Sequence, residues 1–430
     1  MNSISRVEKF LFYIFVFSIP FQTRLVLAHW TIPFNEWTAG FLWGTDILLG
    51  ALLVCWLVRA IRERCEPRFD RADYAILTFF VIGAVSILVS RIPAVSWFRL
   101  FKLGEFMLLY FYLESNKAYF FNLETFYKII IASGLVQAVI GILQSLVQSS
   151  LGLKVLGESV LHVGSQGVAV FDLPAQAGVQ ASLFLRAYGT TPHPNILATW
   201  LFIALWSFYV WYVQRASSKR DPILWGVYAI LLWGFLLTFS RSPIAVWGLT
   251  VCIGFLVMML RKPVGEIGIR MKKRVLGLFG VTAVVGLLFV GAYFPQTWSR
   301  LTISGNDEAV YQRTFYNSIA KDITRQHPFI GIGIGQFVPE LMHRLRIYPA
   351  YIYQPAHNLY YLITTEMGIL GFIAFLGFII LRIYSMIRVW RTRWPLLLVF
   401  GGLLLMGFFD HYFWTLQQGG LMFWGVLGLL

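Results

Sequence analysis

Long apolar runs separated by short, arginine-rich connections dictate what this chain can become. Backbone polar groups cannot stay unpaired in hydrocarbon, so an apolar run of about twenty residues is stable there only as a helix. Twelve such runs begin near Phe10, Phe41, Tyr74, Leu100, Phe126, Ile196, Ile223, Pro243, Val275, His357, Leu396 and Leu416. Basic residues gather at 59–71, 215–220, 261–274 and 382–393. Each cluster follows an even-numbered run, and cytoplasmic loops retain Lys and Arg. The pattern therefore predicts an all-α polytopic membrane protein of about twelve transmembrane helices, with both termini cytoplasmic. One membrane domain covers 1–430, with outer loops at 150–192 and, between helices 9 and 10, at 295–356. Pro20 and Arg24 interrupt the apolar core that a signal peptide needs, so the first run reads as an uncleaved span.

Composition closes other routes. The chain is 58% hydrophobic and only 13% charged, too little charge to cover a soluble protein of 430 residues. A formal charge of +15 invites nucleic acid, but the basic residues sit between apolar runs, where they face anionic lipid. Nucleic acid is thus not an expected partner. Cys55 and Cys252 lie within apolar runs and Cys65 in a basic loop, so no disulfide framework is expected. In the fourth run Lys102 and Glu105 stand three apart, the spacing of an ion pair turned into the bundle.

On the outer side polar chemistry collects. His357 and Asn358 open the tenth run directly after the longest loop, and an imidazole there can act as a general base. The plainer alternative is that both residues cap the helix in the headgroup layer. Arg241 lies between two apolar runs with almost no loop to solvate it; it must snorkel, pair, or hold an anion. Arg186 precedes the turn 189–195, in which Thr190, Thr191 and Asn195 are natural caps and Pro194 suits a first helical turn. His193 there is either part of a rigid helix entry or a supporting polar group. Within 295–356, Val310, Tyr311, Phe315, Ile319 and Ile323 recur at helical steps around Arg313, predicting an amphipathic helix. The alternating glycines of 331–335 lack a leading strand and a following Lys-Ser/Thr, so they read as a tight turn with close backbone approach. No Asp-x-Asp and no His/Cys ligand spacing appears on this side, so neither metal nor cofactor is expected. Cations plus one base suit transfer from a lipid diphosphate, with guanidinium groups stabilising the leaving group.

Four segments, RAYGTTPHPN, TFSRSP, HPFIGIGIGQF and PAHNLYYLITTEMGILG, resemble the O-antigen ligase and polymerase superfamily of bacterial membrane glycosyltransferases. The likeness covers about 186–371. It implies a metal-independent GT-C type enzyme of the bacterial inner membrane, acting extracytoplasmically on glycans carried by undecaprenyl diphosphate. It puts the catalytic base on His357 and the diphosphate-binding arginines on Arg241, Arg186 and Arg313, supported by His193, Asn195 and Asn358. The acceptor hydroxyl would belong to a lipid A core (a ligase) or to a growing chain (a polymerase). A lipid-linked glycan flippase is the rival class, but it should carry polar groups through the bilayer and repeat symmetry; here polar groups gather at one face and no repeat is visible.

Overall fold

The computed structural model describes residues 3–64, 69–116, 122–165, 167–173, 182–215, 221–263, 265–301, 308–346 and 348–430. Cys65, Arg68, Lys219 and Arg220, read above as loop residues, lie outside these. In chain order the elements are α1 (Ser3–Ser18), a hairpin of β1 (Arg24–His29) and β2 (Ala39–Trp43), α2 (Gly44–Arg62), α3 (Arg71–Ser86), α4 (Pro93–Asn116) and α5 (Leu123–Val147). A second hairpin, β3 (Val170–Leu173) with β4 (Ser182–Leu185), precedes α6 (Pro194–Gln214), α7 (Asp221–Leu236), α8 (Arg241–Leu260) and α9 (Gly265–Ala292). There follow α10 (Phe294–Leu301), α11 (Glu308–Gln326), α12 (Phe337–Arg344), α13 (Leu359–Ile387), α14 (Trp390–Gly407), α15 (Tyr412–Thr415) and α16 (Gln417–Leu429). Each of the twelve expected runs falls on a helix. Among the described residues seven helices are long and apolar enough to cross a membrane: α2, α3, α5, α6, α8, α9 and α13. The other five are shorter or carry more charge.

Packing divides the chain into two compact units: Met1–Phe15, Arg24–Phe120 and Gly305–Leu430 in one, Val16–Thr23 and Phe121–Ser304 in the other. In the first, α13 packs along α3 and α16 along α4. Several of its buried charges are paired, which offsets their desolvation. Arg59 of α2 bonds Glu8 of α1 at 2.7 Å and also Asn116 of α4. The expected Lys102–Glu105 pair is present, and Lys102 also holds Asp46 of α2 at 2.8 Å. Gln417 of α16 donates to both carboxylates.

In the second unit α5 packs on α6 and α7. Small residues let these backbones approach: Gly134 faces Ala204, Gly234 faces Ala138, and Gly141 faces Ala187. Arg270–Arg274, expected in a loop, instead belong to the first turns of α9. Lys and Arg are good helix formers, and carbonyls left open at other helix ends receive them. Lys272 donates to Met259 O at 2.7 Å, and the buried Arg274 donates to Tyr212 O at 3.2 Å.

Candidate active site

In the first unit the segment before α13 is built around an amide cap. Asn358 Oδ1 accepts from the backbone N–H groups of Tyr360 and Tyr361, both at 3.0 Å. Its Nδ2 donates to Phe408 O at 3.0 Å, beyond the end of α14. The cap is thus complete without His357, one residue earlier. The His357 Nδ1 lies 3.0 Å from Pro355 O. A carbonyl oxygen only accepts, so Nδ1 carries a proton, and in the neutral ring Nε2 then has the lone pair. That is the tautomer of a general base.

Around this ring the unit collects aromatic groups. Tyr316 of α11 stacks on His357, ring centres 5.7 Å apart and planes 15° from parallel. Its hydroxyl bonds Ile352 O, and burial raises the phenol to about 12, so it stays protonated. Tyr316, Ala320 and Ile323 are the buried stripe of α11. Val310 and Tyr311, expected on that stripe, are 40% and 69% exposed, because the inward face follows the i, i+4, i+7 row from Tyr316. Arg313, on the same helix, donates through Nε to Phe409 O at 3.2 Å.

The 408–411 turn that Asn358 and Arg313 hold joins the last two apolar runs and carries two residues that sequence reasoning missed. Asp410 and His411 are buried, and the His411 ring centre lies 5.0 Å from that of His357. The available signal was an acid and an imidazole together in a turn between apolar runs, on the side expected to hold His357.

A different group occupies the second unit. Arg186, expected at the diphosphate, is buried and turned into the protein. It donates to Thr238 O at 2.8 Å, Asn195 Oδ1 at 2.9 Å and Ser240 Oγ at 2.8 Å. Ser240 is the N-cap of α8 and itself donates to Asn195 at 3.0 Å. The entries of α6 and α8 are therefore laced together. The cap of α6 is His193, whose Nδ1 accepts from Asn195 N at 3.1 Å. The threonines and Asn195, expected as caps, are otherwise engaged: Thr191 bonds Tyr188 O and His193 O, and Thr190 bonds Gln137. Arg241 opens α8 half-buried, with Nε on Arg300 O at 2.7 Å. A guanidinium at a helix N-terminus adds its charge to the positive end of the helix dipole, the setting in which phosphate oxygens bind.

The glycine-rich turn lies in the first unit and explains itself through α13. That helix is broken at Gly368, φ 68° and ψ −176°. The turn supplies the missing partners: Ile332 N donates to Thr365 O at 3.1 Å, Gly333 N to Glu366 O at 2.9 Å, and Pro328 O accepts from Ile369 N at 2.8 Å. The Glu366 carboxylate accepts from Gly335 N, Phe337 N and Trp414 Nε1. Gly331, Gly333 and Gly335 all have positive φ and lie against neighbouring atoms that a Cβ would strike. Among the described residues no group of three or more His, Cys, Asp and Glu side chains gathers in metal-ligating fashion.

Helices of this length and apolarity, with their polar groups caged at helix entries, define an all-α polytopic membrane protein. Its residues 226–376 match the family model described as O-Antigen ligase. The match runs from within α7 to within α13 and supports the resemblance to the O-antigen ligase-like superfamily. Three of the four motifs lie inside the match; RAYGTTPHPN precedes it. No curated protein matches the chain.

Proposed function

We propose that the protein is a membrane glycosyltransferase of the O-antigen ligase type, moving a saccharide from a polyprenyl diphosphate to a hydroxyl acceptor. The acceptor oxygen attacks the anomeric carbon of the donor sugar, whose bond to the diphosphate oxygen breaks. The acceptor proton passes to Nε2 of His357, and the diphosphate leaves with the bonding electron pair. The observation that carries this reading is the His357 Nδ1 bond to Pro355 O, which leaves Nε2 basic. Arg241 is assigned the leaving diphosphate, because its planar fork and the N-terminus of α8 both favour phosphate oxygens. Arg186, Asn195 and His193 are assigned the support of those helix entries. Arg313 and Asn358 are assigned the support of the His357 turn.

With the basic clusters read as cytoplasmic, the segments of His357 and Arg241 would open extracytoplasmically, in a bacterial inner membrane where an undecaprenyl diphosphate glycan is presented. A lipid A core sugar as acceptor makes the protein a ligase; a growing chain makes it a polymerase.

The test uses purified protein in nanodiscs with a lipid-diphosphate glycan and each acceptor. It scores glycan transfer and, in liposomes, transbilayer movement. Transfer is expected, abolished by His357→Ala at normal expression, with a loss of about a hundredfold or more. Movement of the donor without transfer would overturn the reading in favour of a flippase.

A further inference from the structure

His411 is buried, 6% exposed, and tied to its surroundings at several points. Its backbone N–H donates to Asp410 Oδ1 at 2.8 Å, and its Nδ1 lies 2.7 Å from Thr415 Oγ1, one helical turn on. Trp37 meets the ring edge to face, centres 5.2 Å apart at 86°. Arg99 of α4 locks both neighbours, donating to Thr415 O at 2.8 Å and to Trp37 O at 3.1 Å. The turn itself is fastened to the entry of α13 by Asn358 and to α11 by Arg313. What this scaffold presents is one ring, set at 62° against His357 with centres 5.0 Å apart. Tyr316 stacks on His357 as a further ring contact. His411 and Tyr316 together hold the His357 ring, and the Pro355 carbonyl fixes its tautomer.

We propose that His411 is a positioning residue for His357. Its ring fixes the plane of the base so that Nε2 stays aimed at the acceptor hydroxyl, and it remains uncharged while His357 takes the proton. This rests on the reading of His357 as the base. Two imidazolium rings at this separation repel, so a proton gained by one disfavours a proton on the other. The surroundings assign the neutral role to His411. Its burial, the positive charge of Arg99 and a charge on His357 all oppose protonation, and only Asp410 favours it. Of the other charged or titratable groups nearby, Glu366 accepts from Trp414 and attracts Arg99, while Arg313 and Tyr316 lie on α11, Tyr316 touching His357. His357 is only half-buried, so the proton has a route to solvent after transfer.

The experiment compares wild type, His357→Ala, His411→Asn and His411→Phe for donor KM and kcat between pH 5 and 9, in nanodiscs. Asparagine keeps a polar, uncharged side chain in reach of Thr415 but removes the ring. Phenylalanine keeps the ring and loses the bond. His411→Asn is expected to lower kcat about tenfold to a hundredfold with donor KM unchanged, as misplacement of a reacting group does. His411→Phe should recover most of that loss, and the acidic limb of wild-type kcat should follow one proton. Wild-type kcat in His411→Asn, no recovery in His411→Phe, or a two-proton acidic limb would each overturn the positioning role. Full turnover in His357→Ala removes the base reading instead, a different result. If His411→Asn does not fold, His411→Gln takes its place, with the same fall in kcat expected and an unchanged kcat overturning the role.

Discussion

Asn195 accepts hydrogen bonds from both Arg186, at 2.9 Å, and Ser240, at 3.0 Å, so one amide ties the entries of α6 and α8. Arg186 is the donor that fills this knot, and its first effect should be on stability. Arg186→Met removes three hydrogen bonds and leaves buried oxygens unmatched. The expected loss is on the order of 2–3 kcal/mol, seen as a lower Tm in detergent. A variant with normal Tm and a raised donor KM would instead put Arg186 on the diphosphate.

The sequence made the helices legible because membrane burial demands apolar runs of fixed length. It also made His357 and Arg241 stand out as candidates, each polar where polarity is costly. What it could not give was the direction of side chains. Arg186 and Arg241 read alike in sequence, yet one turns inward to neutral oxygens and the other stands half-buried at a helix start. His411 escaped for a related reason. Its partnership with His357 spans more than fifty residues, a separation no local period encodes. The break in α13 was hidden because a lone glycine inside a helical run need not mark a break.

Gly368 offers the sharpest test of that break. Its backbone occupies a region open essentially to glycine alone, and a Cβ there would strike the backbone of Phe329 and Ile330. Gly368→Ala should cost at least about 1–3 kcal/mol in strain. Loop 328–335 should detach from α13, with faster hydrogen exchange at Ile332 and Gly333 N–H. Unchanged exchange at those amides would show that the helix break tolerates a side chain.

In the proposed reaction a guanidinium, that of Arg241, neutralises the leaving diphosphate. Transfer should therefore survive thorough chelation, measured as turnover with and without EDTA. Loss of turnover that magnesium or manganese restores would assign that task to a metal ion.

His411 also makes stability depend on pH in a defined direction. Burial, foremost, lowers its imidazole from 6.5 to about 3. Between those values the unfolded chain binds a proton that the folded chain refuses. The contribution of neutral His411 is full above about 6.5 and is lost as pH falls toward 3, by at most about 1.4 kcal/mol per pH unit. From pH 7.5 to 4.5, wild type should lose more stability than His411→Asn, read as the difference in reversible unfolding in mixed micelles. Asp410 and the other carboxylates are common to both proteins and cancel. Parallel pH curves would mean that His411 accepts a proton in the folded state.

Arg241 separates a phosphate ligand from a headgroup anchor. Its Nε is committed to Arg300 O, which orients the guanidinium at the start of α8. Lysine keeps the charge but has no planar fork to grip two phosphate oxygens. If the side chain only reaches toward lipid headgroups, Arg241→Lys should work nearly as well as wild type. If it holds the diphosphate, lysine should lose about 1–3 kcal/mol of charge-assisted bonding, roughly tenfold or more in donor affinity or rate. Arg241→Ala should lose more, and a diphosphate analogue should inhibit wild type better than either variant. The check is a comparison of the three proteins at equal abundance in nanodiscs. Near-equal kcat/KM for arginine and lysine would return Arg241 to the headgroup layer.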